Sequence, residues 1–354
     1  MTWYTSVETR APAADPLGPL RDDLEAVLRA WLEPEDEANL DAAWQLARSH
    51  VRELALRPAK RVRPLLVALG WTLTRPTGSS ASIPPAVTQF GAGLELLHTF
   101  MLIHDDVADR ACSRRGGPAL HRLLGSGRRG EDLAIVAGDH LYARALEAML
   151  TTRAGRAAEA VRYVLEVCRH TAAGQYLDLV LAHAPLGEVT LFRTLKVAEL
   201  KTARYGFVAP LVCGAMLGDA SEERIEVLKR VGRHAGLAFQ LRDDLIGLVG
   251  EDAVAGKSGG ADYLEGKRSF PLIAAWTRAN AGGRRELEEL WEHPASERLS
   301  AARAALARWG GLAATQRVVQ SRTRAALKAL ELLGDSPGAL ALASVIGRLE
   351  QRVA

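Results

Sequence analysis

Apolar residues recur at three- and four-residue spacing along almost the whole of this 354-residue chain, which restricts it to packed amphipathic helices. The spacing predicts helices over Leu20–Leu32, Ala38–Leu56, Arg63–Leu73, Pro84–Asp109, Leu133–Thr151, Ala157–Ala182, Val189–Tyr205, Val208–Leu217 and Glu222–Val249, with shorter ones to Val353. No segment alternates with the period of two that a half-buried strand requires. Ala and Leu abound, and both lose little entropy on entering a helix. The expected class is all-α. Residues 1–19 are polar and Pro/Ala-rich and lack the apolar run of a signal peptide, so they read as a flexible arm before one helical domain over 20–354. The Gly/Pro-rich stretches Pro76–Pro85, Gly116–Gly130 and Gly250–Gly266 read as loops rather than linkers.

Composition removes several classes of function. A chain that is 48 % apolar and 25 % charged is an ordinary globular one, long enough to bury a sizeable core. A formal net charge of +3 is too mild for a nucleic-acid partner and compatible with a small anionic ligand where the cations cluster. No 18 consecutive residues are uninterruptedly apolar, so no membrane span is expected. Cys112, Cys168 and Cys213 lie far apart without CxxC spacing, which argues against a disulfide framework or zinc site and fits a reducing cytoplasm.

Two apolar helices end in acids. In Leu102-Ile103-His104-Asp105-Asp106-Val107-Ala108-Asp109, Asp105 and Asp109 are one turn apart and project together. Like charges so placed repel, and acids at a helix C-terminus oppose the macrodipole, so a compensating cation is needed. Hard oxygen ligands suit Mg²⁺ better than zinc. A solvated helix end explains this motif alone about as well. The second motif decides between them: Phe239-Gln240-Leu241-Arg242-Asp243-Asp244-Leu245-Ile246-Gly247 repeats an acidic pair inside a long apolar helix. Facing one another, two such pairs form a two-sided metal clamp on phosphate oxygens. Cations surround both: Lys60 and Arg63 at a helix start, Arg114 and Arg115 after the first motif, Lys201 late in a helix, and Lys257, Lys267 and Arg268 after the second. Singly each reads as a solvated surface charge; as a set they read as phosphate ligands.

Taken in order, the motifs resemble those of the trans-prenyl diphosphate synthases, most closely the actinobacterial type of geranylgeranyl diphosphate synthase. The resemblance covers about Lys60 to Pro271. It rests on Lys60-Arg61-Val62-Arg63-Pro64; on Glu95-Leu96-Leu97-His98 with the first acidic motif; and on Arg114-Arg115-Gly116-Gly117-Pro118 with His121. It continues through Gly174-Gln175-Tyr176-Leu177-Asp178, Lys201-Thr202, Phe239-Gln240 with Asp243-Asp244, and Gly256-Lys257 with Gly266-Lys267-Arg268. The resemblance implies a single large helical bundle around a central cavity, the isoprenoid synthase type, in a cytoplasmic homodimer. The implied reaction condenses isopentenyl diphosphate with an allylic diphosphate by ionisation, condensation and elimination.

By the same resemblance, Asp105, Asp109 and Asp243 are the expected Mg²⁺ ligands, supported by Asp106 and Asp244, with three ions per site and Mn²⁺ as a substitute. Arg114, Lys201 and Lys257 would grip the allylic diphosphate; Lys60, Arg63, His98 and Arg115 would take isopentenyl diphosphate. Thr202, Gln240, Gln175 and Asp178 would stand beside the forming bond, and Lys267 would belong to a closing loop. Phe100 and Met101, five and four residues before Asp105, are expected to floor the chain pocket, with a C20 product first and C15 second.

Two departures stand out: Pro58-Ala59 replaces a usual Gly pair, and Gly247 replaces a usual Asp, leaving one wall a carboxylate short. A terpene cyclase is the chemical alternative, but such enzymes usually carry an Asn/Ser/Glu triad in place of Asp243-Asp244. A non-catalytic partner subunit of a synthase has only Gly247 in its favour, and a His104-Asp105 phosphohydrolase leaves the second Asp pair and the cations unexplained.

Overall fold

A computed structural model describes residues 18–33, 41–75, 82–249 and 260–350, and the described residues are almost wholly helical. The chain opens with α1 (Gly18–Leu32), α2 (Ala42–Leu56), α3 (Val62–Thr72) and α4 (Pro85–Ala108). Then come a two-rung antiparallel ribbon, β1 (Ser113–Arg114) with β2 (Gly117–Pro118), the short α5 (Leu120–Leu124), α6 (Gly127–Leu150) and α7 (Ala157–Ala182). Next follow α8 (Leu191–Val197), a π-helical stretch (Ala198–Val208), α9 (Ala209–Leu217) and α10 (Glu222–Val249). The remainder is α11 (Ala261–Leu264), α12 (Phe270–Arg278), α13 (Ala281–Glu292), α14 (Leu299–Arg308), α15 (Gly311–Leu330) and α16 (Pro337–Glu350).

Local chemistry sets several of these boundaries. Pro58 forces the preceding residue out of the helical region, and Arg57 accordingly takes φ −56°, ψ 146° and ends α2. Asp41 caps α2 by accepting from the Ala43 N–H at 2.8 Å. Pro85 opens α4, where its missing N–H costs nothing. Glu222 and Glu223 lie in the first turn of α10, where the dipole favours them.

Helix α4 is central. It packs along α6 and touches α1, α3, α5 and α9. Its Phe90, Leu94, Leu96, Leu97 and Ile103 are buried with Leu141 and Met149 of α6, Leu66 of α3 and Leu211 of α9. Each such side chain contributes about 1.5–3 kcal/mol by leaving water. Helix α10 runs against α15 and the π-helical stretch. A second core, including Tyr263, Leu272, Leu287 and Trp291, gathers α11 to α14 beneath the C-terminal end of α10.

Three expectations need correction. The stretch Gly116–Gly130 is not one loop: β2, α5 and the start of α6 lie within it, because Leu120 has an apolar site to fill and is 1 % exposed. Strand pairing does occur, but over two residues a side, too short for any periodicity to announce it. The expected break between Tyr205 and Val208 is absent; helix runs through from Leu191 to Leu217 by widening to a π turn. The arm 1–17 and most of the stretch 250–266, namely 250–259, lie outside the described residues. Helix α4 is long and apolar enough to cross a membrane by length and composition, yet 67 % of its most apolar window is buried in the core, as in a bundle's central helix.

Candidate active site

The C-terminal ends of α4 and α10 and the π-helical stretch border a cleft of about 1190 Å³. It is lined by Lys60, Arg63, His98, Phe100, Met101, Asp105, Arg114, Arg115, Gln175, Lys201, Thr202, Gln240 and Asp243, so most of the singled-out residues, from six separate sequence regions, share one cavity. A smaller pocket of about 80 Å³ adjoins it and adds Asp178, Asp244 and Lys267. Lys201, Thr202, Gln240 and Asp262 belong to both. Lys257 lies outside the described residues.

The acids are distinguished by their surroundings. Asp105 is partly open, with Lys201 Nζ 3.5 Å from Oδ1 and an Arg114 nitrogen 4.0 Å from Oδ2. Asp106 turns inward, is 1 % exposed, and is bound by Arg114, whose Nε donates at 2.8 Å. Asp109 is half-buried, and its buried Oδ2 has no hydrogen-bond partner among the described residues, only the Lys267 ammonium at 3.8 Å. Burial first, and then the neighbouring Asp105 charge, hold its carboxyl above the usual carboxylate range. On the opposite side Asp243 is exposed. Asp244 is half-buried and pushed up to about 8, by burial first and then by Asp262, against the opposing hydrogen bond from Gln240. The Gln240 amide joins two groups: the Thr202 hydroxyl donates to its Oε1, and its Nε2 donates to Asp244 Oδ1 at 2.7 Å.

Two lysines tie the mouth together. Lys201 donates to Asp178 Oδ2 at 2.8 Å while facing Asp105. Burial alone would lower it, but Asp105 and Asp178 leave it above the ordinary lysine value. Lys267 reaches Asp262 at 3.3 Å, Glu265 at 2.6 Å and Asp109, and those acids likewise outweigh its burial. Lys201 and Thr202 sit in the π-helical stretch, where the widened turn changes which residues face the cavity. Gly174 lets α7 press against that backbone: any β-carbon there would strike Lys201 N and Leu200. Next to it, both amide atoms of Gln175 are buried without a hydrogen-bond partner among the described residues, as expected of a group that faces a ligand.

The basic rim is built separately. His98 lies under Arg63 and Arg115; burial first, then those charges, keep its imidazole well below the ordinary value and hence neutral at pH 7. Arg63 lies over the Tyr205 ring with its Cζ 5.0 Å from the centroid. The ribbon carrying Arg114 and Arg115 is held by Arg57, which donates from one Nη to the carbonyls of Arg114 (2.7 Å) and Pro118 (2.8 Å) and from its other nitrogens to Glu53. Arg61 and Arg115 both donate to Glu95 Oε1 at 2.8 Å, and Glu95 is 2 % exposed. Arg61 also reaches Glu25 of α1 at 2.8 Å. Sequence reasoning missed Arg57 and Glu25, because their partners lie 36 to 61 residues away and leave no periodic trace; it missed Asp262 because only the folded chain brings it beside Gly247.

In the same cleft, Phe100 meets His104 edge-on (4.5 Å between centroids) and Tyr142 of α6 at a tilt (5.1 Å). Tyr142, which the sequence did not single out, lines the cleft beside Phe100 from a second helix.

Among the described residues no three acid, His or Cys side chains converge on one point, so the protein forms no closed metal cage there. Proteins in general bind Mg²⁺ in that open manner, through one or two carboxylates with substrate phosphates and several waters. The hard, acid-only donors Asp105, Asp109 and Asp243, with an orphaned buried oxygen on Asp109, fit such an ion.

An all-helical bundle with an acidic, lysine-bridged mouth above an apolar cavity defines the isoprenoid-synthase class of fold, and solved structures agree. The geranylgeranyl pyrophosphate synthase of Corynebacterium glutamicum, crystallised with isoprenyl diphosphate and magnesium, superposes with a TM-score of 0.84 at 27 % identity, covering 95 % of this chain and 99 % of that one. The polyprenyl synthetase profile matches residues 45–307, and the chain belongs to that family. Curated relatives include a geranylgeranyl diphosphate synthase of Mycobacterium tuberculosis, 36 % identical over 268 residues (74 % of each chain). Another is a short chain isoprenyl diphosphate synthase of Methanothermobacter thermautotrophicus, 32 % identical over 287 residues (81 % of this chain and 84 % of that one).

Proposed function

We propose that this protein is a short-chain prenyltransferase that condenses isopentenyl diphosphate with an allylic diphosphate, using a divalent metal, Mg²⁺ by preference, and releasing geranylgeranyl diphosphate. The observation that carries this reading is one cavity with two chemistries: carboxylates and cations at its mouth, and Phe100, Met101, Leu165 and Phe239 along its depth. A diphosphate belongs in the first and an isoprenoid chain in the second. Family membership and the relatives' names support it.

When bound, Mg²⁺ neutralises charge on the departing diphosphate. Asp105 and Asp109 would hold it from α4 and Asp243 from α10, with three ions per site and Mn²⁺ as a substitute. Asp106 supports them indirectly by fixing Arg114. Lys201 and Arg114, with Lys257, add positive charge where the leaving group gathers negative charge. Lys60, Arg63 and Arg115 bind the second diphosphate, and neutral His98 donates a hydrogen bond without adding charge. Thr202, Gln240 and Gln175 present oxygen dipoles to the allylic carbon as it loses its leaving group, and Asp178 keeps Lys201 in place. Lys267 helps close the mouth, and water is kept from the electron-poor carbon by the apolar walls. The helices from residue 20 onward act as one catalytic domain, in a cytoplasmic homodimer.

The test is direct. Labelled isopentenyl diphosphate with dimethylallyl, geranyl or farnesyl diphosphate and Mg²⁺ gives a C20 diphosphate, identified by chromatography after dephosphorylation. Asp105→Ala lowers turnover at least about 100-fold, the scale of losing one transition-state electrostatic partner, with unchanged far-UV circular dichroism. A helical variant of near-normal turnover removes the proposal, and consumption of an allylic diphosphate on its own marks a cyclase instead.

A further inference from the structure

Helix α10 has no carboxylate at position 247, one turn beyond Asp243, and another part of the chain fills that place. The Gly260 N–H donates to the Gly247 carbonyl at 3.0 Å, which pins the returning chain to the end of α10. Helix α11 begins one residue later, with Asp262 in its first turn. A β-carbon on residue 247 would fall on Asp262 Oδ2 and lie 2.8 Å from its Cγ. The Asp262 carboxylate therefore occupies the volume in which a side chain at 247 would begin.

Its outlook matches its place. Asp262 lines the large cleft together with Asp243, and the small pocket together with Asp244. Its Oδ1 is 3.3 Å from Lys267 Nζ, and the same ammonium is 3.8 Å from Asp109 Oδ2. One cation thus already spans Asp262 and a carboxylate of the first acidic motif.

We propose that Asp262 is the metal-holding carboxylate that position 247 lacks, so that the second wall of the clamp is completed from α11 rather than from α10 alone. This rests on reading the cleft as a metal–diphosphate site. Gly247 is then required for the approach of Asp262, since any side chain there would drive it out.

Mn²⁺ binding in the presence of inorganic diphosphate, followed by the paramagnetic resonance signal of the free ion, tests this without turnover. Four proteins are compared after their helicity is checked by circular dichroism: wild type, Asp262→Asn, Asp262→Ala and the double variant Gly247→Asp/Asp262→Ala. Asp262→Asn keeps the shape and weakens Mn²⁺ by about 10-fold or more, the usual effect of removing a supporting ligand group. The double variant regains most of what Asp262→Ala loses, because the carboxylate returns to the same place from the other backbone. Wild-type affinity in Asp262→Asn overturns the proposal, as does a double variant no tighter than Asp262→Ala. A wild-type protein that takes up no Mn²⁺ with diphosphate overturns instead the reading of the cleft, and this inference with it.

Discussion

Phe100 has two neighbours that decide what its removal does: His104 one turn on, and Tyr142 across the cavity. Trimming Phe100 to Ala leaves Tyr142 in place, so the proposed floor would deepen on the α4 side only. Phe100→Ala is expected to shift the product distribution towards chains one or more isoprene units longer, read by chromatography; an unchanged distribution removes Phe100 from the floor. His98 answers to pH. Its imidazole is held well below the ordinary value in the fold, by burial first and then by Arg63 and Arg115. In the unfolded chain it titrates near about 6.5. Below that pH the unfolded state takes up a proton that the folded state refuses, so the His98 contribution is intact above it and is lost as pH falls through it. In thermal melts from about pH 7.5 to 5, His98→Asn should lose less Tm on acidification than the wild type; parallel curves would contradict this. The acids and the cations were legible in the sequence because their types and spacing are themselves chemical, and Gln175 only through the family resemblance. Tyr142 and Asp262 were not, since only packing brings the one beside Phe100 and the absent side chain of Gly247 makes room for the other.

The β1–β2 ribbon shows how an element with almost no intrinsic stability is held still. Two paired residues a side are far fewer than a hairpin needs in water. The ribbon persists because Arg57, 7 % exposed, bonds to a carbonyl on each strand and is itself fixed by Glu53. Arg57→Ala strands those two carbonyls at a cost of about 1–3 kcal/mol. Its kinetic sign should be a raised KM for isopentenyl diphosphate with a smaller change in kcat, because Arg115 on the ribbon loses position rather than chemistry. Equal KM in variant and wild type would disconnect Arg57 from the site. Helices were readable from periodicity, most closely α7 and α10, whose predicted and observed limits coincide. The π-helical stretch was not, because one extra residue per turn in so short a span looks like the end of one helix and the start of another.

Among the described residues several large apolar side chains face solvent, Phe192 most of all at 75 %. Leu133 and Val136, one turn apart on α6, are 44 % and 60 % exposed, and Tyr176, Leu179 and Val180 are exposed on α7. Such exposure fits the proposed homodimer. Sedimentation should show a dimer for the wild type and a shift to monomer for Val136→Glu, and a monomeric wild type would refute the dimer. The fold class was open to sequence reading because nearly every segment carries the same period; the pairing of α4 with α6, or of α10 with α15, was not, because one apolar stripe fits many partners. Burial of α4 also has a consequence for biosynthesis. This helix leaves the ribosome before α6 and α9, which later cover it, have been made. Until then a 24-residue apolar rod is exposed to chaperones and to the membrane-insertion machinery alike. Glu95 and His98 midway along it, with Asp105 and Asp106 near its end, also count against this nascent segment entering a bilayer.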